Sequence, residues 1–142
     1  MTIRFALAGA AMGFALMASG ASAQGLFGGP EGAELEEMIE KAQEHPLGSQ
    51  QNPVRADMPV GQRAYLNRLR CSDGNAPAYR RVGNFGVGVF GRIIDGYEVV
   101  CEGAEPAQSM IFLDMYHPGH EETEAVSGFT IEPVDGQTET TT

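Results

Sequence analysis

The chain has 142 residues, 42% of them hydrophobic, and its formal net charge is −10 at pH 7. This length fits one compact domain and excludes a large multidomain enzyme. The acidic balance argues against generic binding to nucleic acid, because phosphates repel a negative surface. We therefore expect a small module with one modest core, and the sequence favours a binding or structural role over catalysis.

The first 23 residues have the three parts of a secretory signal peptide. Arg4 supplies a positive start, Phe5–Met17 is apolar, and Ala21-Ser22-Ala23 offers small residues to signal peptidase. Cleavage there would leave 119 residues starting at Gln24. The apolar run is shorter than the ~18 residues that a membrane-spanning helix needs, so no span is expected after cleavage. We predict a bacterial protein exported to the periplasm or the exterior.

Because the chain is expected to be exported, its two cysteines, Cys71 and Cys101, would be in an oxidising compartment. An even number of cysteines in an oxidising compartment indicates a disulfide bond. Bridging a loop of 30 residues would stabilise the fold by about 3–4 kcal/mol in the chain-entropy model. No CxxC motif is present, so we predict a structural bond and not a redox pair.

Charge is distributed unevenly along the mature chain. Residues 24–54 carry six acids and one lysine, residues 55–92 carry seven arginines and two acids, and residues 93–142 carry eleven acids with no lysine or arginine. Arginine matches carboxylates and phosphates bidentately, so the middle segment is a candidate anion-binding belt. The alternative is that the belt pairs with the acidic C-terminal third or is solvated. The belt consists of Arg63, Arg68, Arg70, Arg80, Arg81 and Arg92.

The segment before residue 61 is predicted to lead into the main domain. It begins with the glycine-rich stretch Gln24–Pro30. Apolar residues then recur at helical spacing and predict a short acidic helix within Glu31–Glu44. These residues are Leu35, Met38, Ile39 and Ala42. Pro53 and Pro59 each block a helix, so residues 46–59 are predicted to form an extended linker.

From residue 61 onward the pattern changes to strands and turns. Strands are predicted at Arg63–Cys71, Ala78–Val82, Ile93–Cys101, Met110–Tyr116 and Phe129–Ile131. The first of these segments would also suit a helical turn, through Tyr65, Leu66 and Leu69. Gly83–Gly91 is predicted to be an irregular loop, and Glu132–Thr142 a disordered acidic tail.

These elements predict an α+β or mainly β fold. The expected domain is a small antiparallel-rich sheet of about five short strands, with one N-terminal helix and one disulfide. The predicted organisation is a signal peptide over residues 1–23, a lead-in over 24–60, a β-rich disulfide-linked domain over 61–131 and a tail over 132–142.

The motif His117-Pro118-Gly119-His120 is the best candidate for a chemical site. Imidazoles and carboxylates suit zinc or a similar divalent ion, so Asp114, His117 and His120 are the predicted metal ligands. Hydrolysis there would also need a general base, for which Glu121 and Glu122 are nearest. The alternative is a solvent-exposed loop that ends a buried strand.

No organic cofactor is predicted. Gly86-x-Gly88-x-x-Gly91 matches the glycine pattern of a dinucleotide-binding loop. That motif needs a strand before it and a helix after it, whose N-terminus binds the pyrophosphate. Here a strand pattern follows, so the glycines predict a permissive loop.

Four short motifs resemble small uncharacterised exported proteins of Gram-negative bacteria. They are Arg70-Cys71-x-Asp73-Gly74, Arg81-x-Gly83, Asp95-x-Tyr97-x-Val99-x-Cys101 and Asp114-Met115-Tyr116-His117. The resemblance covers about Gly61–Ile131. It implies a Cys71–Cys101 disulfide and a structural unit at Asp114–His117, and it implies no function and no catalytic residue.

Three hypotheses about function follow from these patterns. The preferred one is an exported, non-catalytic binding or structural module. The second is a metal-binding site at Asp114, His117 and His120, which could be hydrolytic if a neighbouring carboxylate acts as general base. The third is an anion-binding module that uses the arginine belt.

Overall fold

A computed structural model of the chain describes residues 29–135. The predicted signal peptide and residues 136–142 of the predicted tail lie outside these residues. The described residues form two helices and six strands. In chain order these are α1 (Ala33–Ala42), β1 (Val54–Arg55), α2 (Met58–Arg68), β2 (Leu69–Arg70), β3 (Ala78–Val87), β4 (Ile93–Val100), β5 (Gln108–Asp114) and β6 (Thr130–Ile131).

The main sheet has four strands in the order β1-β5-β4-β3. Strands β3, β4 and β5 form an antiparallel meander, and β1 pairs in parallel with β5, which makes the sheet mixed. Strands β2 and β6 form a separate antiparallel pair. The prediction of an α+β fold is confirmed, with two helices in place of the single one expected.

The core forms where one face of the sheet meets α2. Residues alternate across a strand, so every second side chain of β4 and β5 points to this face. The sheet contributes Tyr97, Val99, Ile111 and Leu113, and all four are buried. Tyr65 and Leu66 of α2 and the following Leu69 cover them. The predicted strands at Ile93–Cys101 and Met110–Tyr116 are confirmed, and the second lies inside the sheet.

The strand predicted over Arg63–Cys71 is wrong for most of its length. This segment continues helix α2 as far as Arg68, and only Leu69–Arg70 is extended. Helical spacing places Gln62, Tyr65 and Leu66 together on the buried face. Pro59 does not block this helix, because it lies in the first turn, where its missing N–H costs nothing.

The linker predicted over residues 46–59 is part of the domain. Val54 of β1 is fully buried and pairs with Leu113 of β5. Ahead of it, the Phe112 N–H donates to the Gly48 carbonyl at 2.8 Å. These contacts hold the segment against the sheet. Pro53 directly precedes β1 and is compatible with its extended backbone, whereas Pro59 already belongs to α2.

The loop predicted over Gly83–Gly91 is also partly wrong. Strand β3 extends through Val87, and its register with β4 shifts twice, between Arg81 and Gly83 and between Asn84 and Val87. The irregularity expected from the glycines is therefore present as bulges inside a strand. The hairpin closes where the Gly91 N–H donates to the Gly88 carbonyl.

Cys71 and Cys101 form the predicted disulfide bond, which is buried against Ala104 and Phe129. It joins the end of the β2 segment to the end of β4, so it links α2 and the second sheet to the main sheet. Within residues 29–135, neither helix has the length and apolar character needed to cross a bilayer.

Candidate functional site

The His117–His120 turn follows β5 directly and lies beside the start of α2. The His117 N–H donates to the Ala56 carbonyl at 3.1 Å, and the Met58 N–H donates to the Met115 carbonyl at 2.8 Å. The His120 N–H closes the turn on the His117 carbonyl, and Gly119 takes a positive φ of 73°. The sheet thus fixes both histidines next to the β1–α2 connection.

Asp114 and His117 form a buried pair beneath this turn. Asp114 is fully buried, and its Oδ1 accepts the Tyr116 N–H at 3.0 Å. Its Oδ2 lies 3.3 Å from His117 Nε2, and the two side chains are only 0% and 5% exposed. The ring of Phe90 packs edge-on against the imidazole. Asp114 Oδ2 and His117 Nε2 are therefore close neighbours, although no hydrogen bond joins them.

His120 has a different acidic partner. Its Nε2 lies 3.5 Å from Glu122 Oε2. Burial raises the pKa of Glu122, but the His120 contact and the N–H groups of Glu124 and Thr123 together outweigh burial, and the net effect lowers this pKa. Glu122 is therefore ionised at neutral pH.

The three predicted metal ligands are thus divided between two pairs. Asp114 meets His117, whereas His120 meets Glu122. Within residues 29–135, no group of three or more His, Cys, Asp or Glu side chains is arranged to hold a metal ion. Of the two bases proposed for hydrolysis, Glu122 contacts His120 and Glu121 is exposed.

Most arginines of the predicted belt make internal contacts. Three pair with acids of the C-terminal third, and these pairs are Arg70–Glu132, Arg80–Glu98 and Arg81–Asp95. Two donate to backbone carbonyls, Arg68 to Glu122 and Glu132, and Arg92 to Tyr116. Arg63 is exposed on α2. This distribution matches the alternative of internal pairing.

The glycines of the Gly86-x-Gly88-x-x-Gly91 motif lie at the β3–β4 hairpin. Gly86 lies at the end of β3, and Gly88 and Gly91 lie in the hairpin that leads to β4. A strand follows the motif, as the sequence pattern indicates, and no helix N-terminus is available at this position to bind a pyrophosphate.

Two adjoining clefts open on either side of the His117–His120 turn. The first, here called the histidine cleft, measures about 330 Å³. The charged and titratable residues that line it are Glu31, Arg55, Arg92, Tyr116, His117 and His120. The second, the helix cleft, measures about 310 Å³ and lies against α2. Arg55, Gly119 and His120 line both clefts.

Arg55 is the residue that the sequence analysis missed. It lies at the end of β1, opposite Asp114 of β5, and its side chain is half-buried. Within residues 29–135 its guanidinium makes no hydrogen bond and no ion pair. Burial lowers the pKa of Arg55, and the charge of Glu122 only partly offsets this effect. Arg55 is thus a partly desolvated cation at the wall between two clefts.

Nothing in the local sequence around Arg55 indicates this role. The residue stands between Val54 and Ala56, in a stretch predicted to be a linker. Only with the structure does the burial of Val54, paired with Leu113, place this segment in the sheet. Comparison of the chain with protein-family models, with curated proteins and with solved structures finds no match, so the function is argued from this site.

Proposed function

We propose that the chain is an exported, non-catalytic binding module that takes a small anion, a carboxylate or a phosphate, in the histidine cleft. One observation carries the proposal. Arg55 presents a half-buried guanidinium to this cleft, with no hydrogen bond or ion pair from the part of the chain that the structure describes. A desolvated cation is costly unless an anion accompanies it, and a bound ligand would supply that anion.

The neighbours of Arg55 support an anion over a cation. Arg92, His117 and His120 line the same cleft, against the single carboxylate of Glu31. The carbonyl of Tyr116 accepts a hydrogen bond from Arg92, and the buried His117 ring lies against Asp114 and Phe90. The nitrogen-bearing side chains of the cleft are therefore packed in place before a ligand arrives, which reduces the entropy lost on binding.

Export is the second part of the proposal. The signal-like N-terminus supports it, and so does the buried Cys71–Cys101 disulfide, a bond typical of oxidising compartments. The compartment is the periplasm or the exterior of a bacterial cell.

The proposal is tested by titrating the folded protein with acetate and with inorganic phosphate, followed by backbone amide NMR. The signals of Arg55, His117 and His120 should move together and saturate. Arg55→Ala should weaken binding at least tenfold, because it removes the charge-assisted contact. Arg63→Ala is the matched control, since Arg63 lies outside both clefts, and it should bind like wild type.

Two outcomes would overturn the anion site. One is the absence of any saturable shift with either probe. The other is unchanged affinity in Arg55→Ala, and if Arg63→Ala is weakened at the same time, the belt is the binding surface.

A metal site is the second candidate, favoured by one observation. Three buried atoms, Asp114 Oδ2, His117 Nε2 and His120 Nε2, have no hydrogen-bond partner among the described residues. These atoms belong to the predicted ligands, although His120 would have to leave Glu122 to join the other two. A zinc-dependent rise in Tm that His117→Ala abolishes would support this candidate, and an unchanged Tm with no zinc in elemental analysis would remove it.

A further inference from the structure

The helix cleft offers space directly behind the proposed anion site. Because Arg55, Gly119 and His120 line both clefts, a ligand held by Arg55 from one side can extend past this wall to the other. The helix cleft, at about 310 Å³, lies at the lower end of the range for small-molecule pockets. It has room for a small organic group.

The lining of the helix cleft selects the chemistry of that group. Small or apolar residues of the β1–α2 region line one part of it, and these are Ala56, Val60, Gly61, Ala64 and Tyr65. Such a surface favours an apolar group, because burying one removes it from water.

The charges around the helix cleft disfavour a second anion. Asp57, Glu121 and Glu122 line it, and Glu122 is ionised at neutral pH. Arg68 also lines it, but its guanidinium donates to the carbonyls of Glu122 and Glu132. Arg55 and His120 line this cleft too, but the first carboxylate of a ligand would occupy Arg55, and His120 lies beside Glu122. A second negative group would therefore face three carboxylates and Arg68, which already donates to two carbonyls.

We infer, resting on the anion-binding function proposed above, that the ligand is a small monocarboxylic acid with an uncharged apolar tail. Its carboxylate binds Arg55 in the histidine cleft, and its tail occupies the helix cleft against Ala64 and Tyr65. Inorganic phosphate and dicarboxylates are the weaker ligands, because the first has no tail and the second carries a charge into the acidic cleft.

The test compares three acids by calorimetry on the folded protein: acetate, hexanoate and adipate. Hexanoate and adipate have the same number of carbons, and adipate carries a second carboxylate. Hexanoate should bind at least about tenfold more tightly than acetate, because its tail buries several methylenes. Adipate should bind more weakly than hexanoate.

A variant separates the two clefts. Ala64→Leu adds bulk at an exposed helical position that lines only the helix cleft, and leucine is a good helix former. It should remove most of the advantage in affinity of hexanoate over acetate. Ala76→Leu, at an exposed position that lines neither cleft, is the matched control and should keep the wild-type ratio.

The outcomes distinguish this inference from the proposed function. Equal affinity for acetate and hexanoate, or tighter binding of adipate, would overturn the inference and leave the anion site intact. An Ala64→Leu variant that keeps the full hexanoate advantage would also overturn it. Failure of all three acids to bind would overturn both.

Discussion

Arg55 and Asp114 occupy paired positions in the β1–β5 register, but their side chains differ in burial and in partners. Asp114 is fully buried, with the Tyr116 N–H on one oxygen and His117 beside the other. Arg55 is half-buried and has no comparable partner within residues 29–135. A partly desolvated cation is costly unless an anion accompanies it, and under the proposed function a bound anion offsets this cost at Arg55.

Tyr65 gives a residue-scale prediction about pH. Its hydroxyl donates to the Glu124 carbonyl and accepts the Val126 N–H, and burial raises its pKa above the ordinary value of 10.0. The folded protein therefore keeps this proton after the unfolded chain has lost it. The stability that the protonated Tyr65 hydroxyl contributes is therefore complete below pH 10 and declines as the pH rises above 10.

The measurement is urea unfolding of wild type and Tyr65→Phe at pH 8, 10 and 11. Between pH 10 and pH 11, the free energy of unfolding should fall by about 1 kcal/mol more in wild type than in the variant. Burial also raises the pKa of Tyr97, so Tyr65→Phe/Tyr97→Phe should flatten the profile further. Parallel profiles for all three proteins would contradict this account.

At the scale of elements, the sequence predicted the strands with a marked hydrophobic pattern and missed those defined by a partner. Val99 belongs to an alternating run and Leu113 to a continuous hydrophobic run, and these patterns identify β4 and β5. Strand β1 has only two residues, and its pairing with β5 depends on contacts nearly sixty positions away. No local pattern carries that information, so Arg55 and the site around it could not be predicted, whereas the His117–His120 turn could.

Helix α2 was not predicted for a different reason, which is the shortness of its apolar pattern. Tyr65, Leu66 and Leu69 fit both a strand and a helix, because three apolar residues are too few to separate a period of 2 from one of 3.6. Packing against Tyr97 and Val99 settles the conformation, since the helix places its buried residues on one face.

The position of β1 predicts where the folded unit begins. A fragment of residues 61–142 lacks Val54 and the first turn of α2, and it exposes Leu113, which is fully buried in the complete domain. It should therefore be unfolded by circular dichroism. A fragment of residues 29–142 is the control and should fold cooperatively. A folded 61–142 fragment would show that β1 is dispensable.

The disulfide should contribute a large share of stability. It closes a loop of 30 residues, and the chain-entropy model assigns such a bridge about 3–4 kcal/mol. Reduction should lower Tm by more than about 10 °C for a domain of this size. The Tm of Cys71→Ala/Cys101→Ala should be close to that of reduced wild type and should not change when reductant is added. An unchanged Tm, with mass spectrometry confirming reduction, would contradict this expectation.

At the scale of the whole molecule, the net charge of −10 and an anion site are compatible. Long-range repulsion from surface acids is screened beyond about 8–10 Å at physiological salt, whereas a contact inside a half-buried cleft is screened much less. Binding of the proposed anion would therefore be decided by the groups within the cleft. Pairs such as Arg81–Asp95 neutralise part of the basic segment, whereas Arg55 lines both clefts.

The central claim is that Arg55 makes this cleft an anion site, and the affinity of wild type and Arg55→Gln for acetate tests it most directly. Glutamine keeps much of the length and polarity of the side chain while removing its charge. Calorimetry should give saturable binding to wild type and at least tenfold weaker binding to the variant, with Tm changed little. Equal affinities in two equally folded proteins would contradict the account.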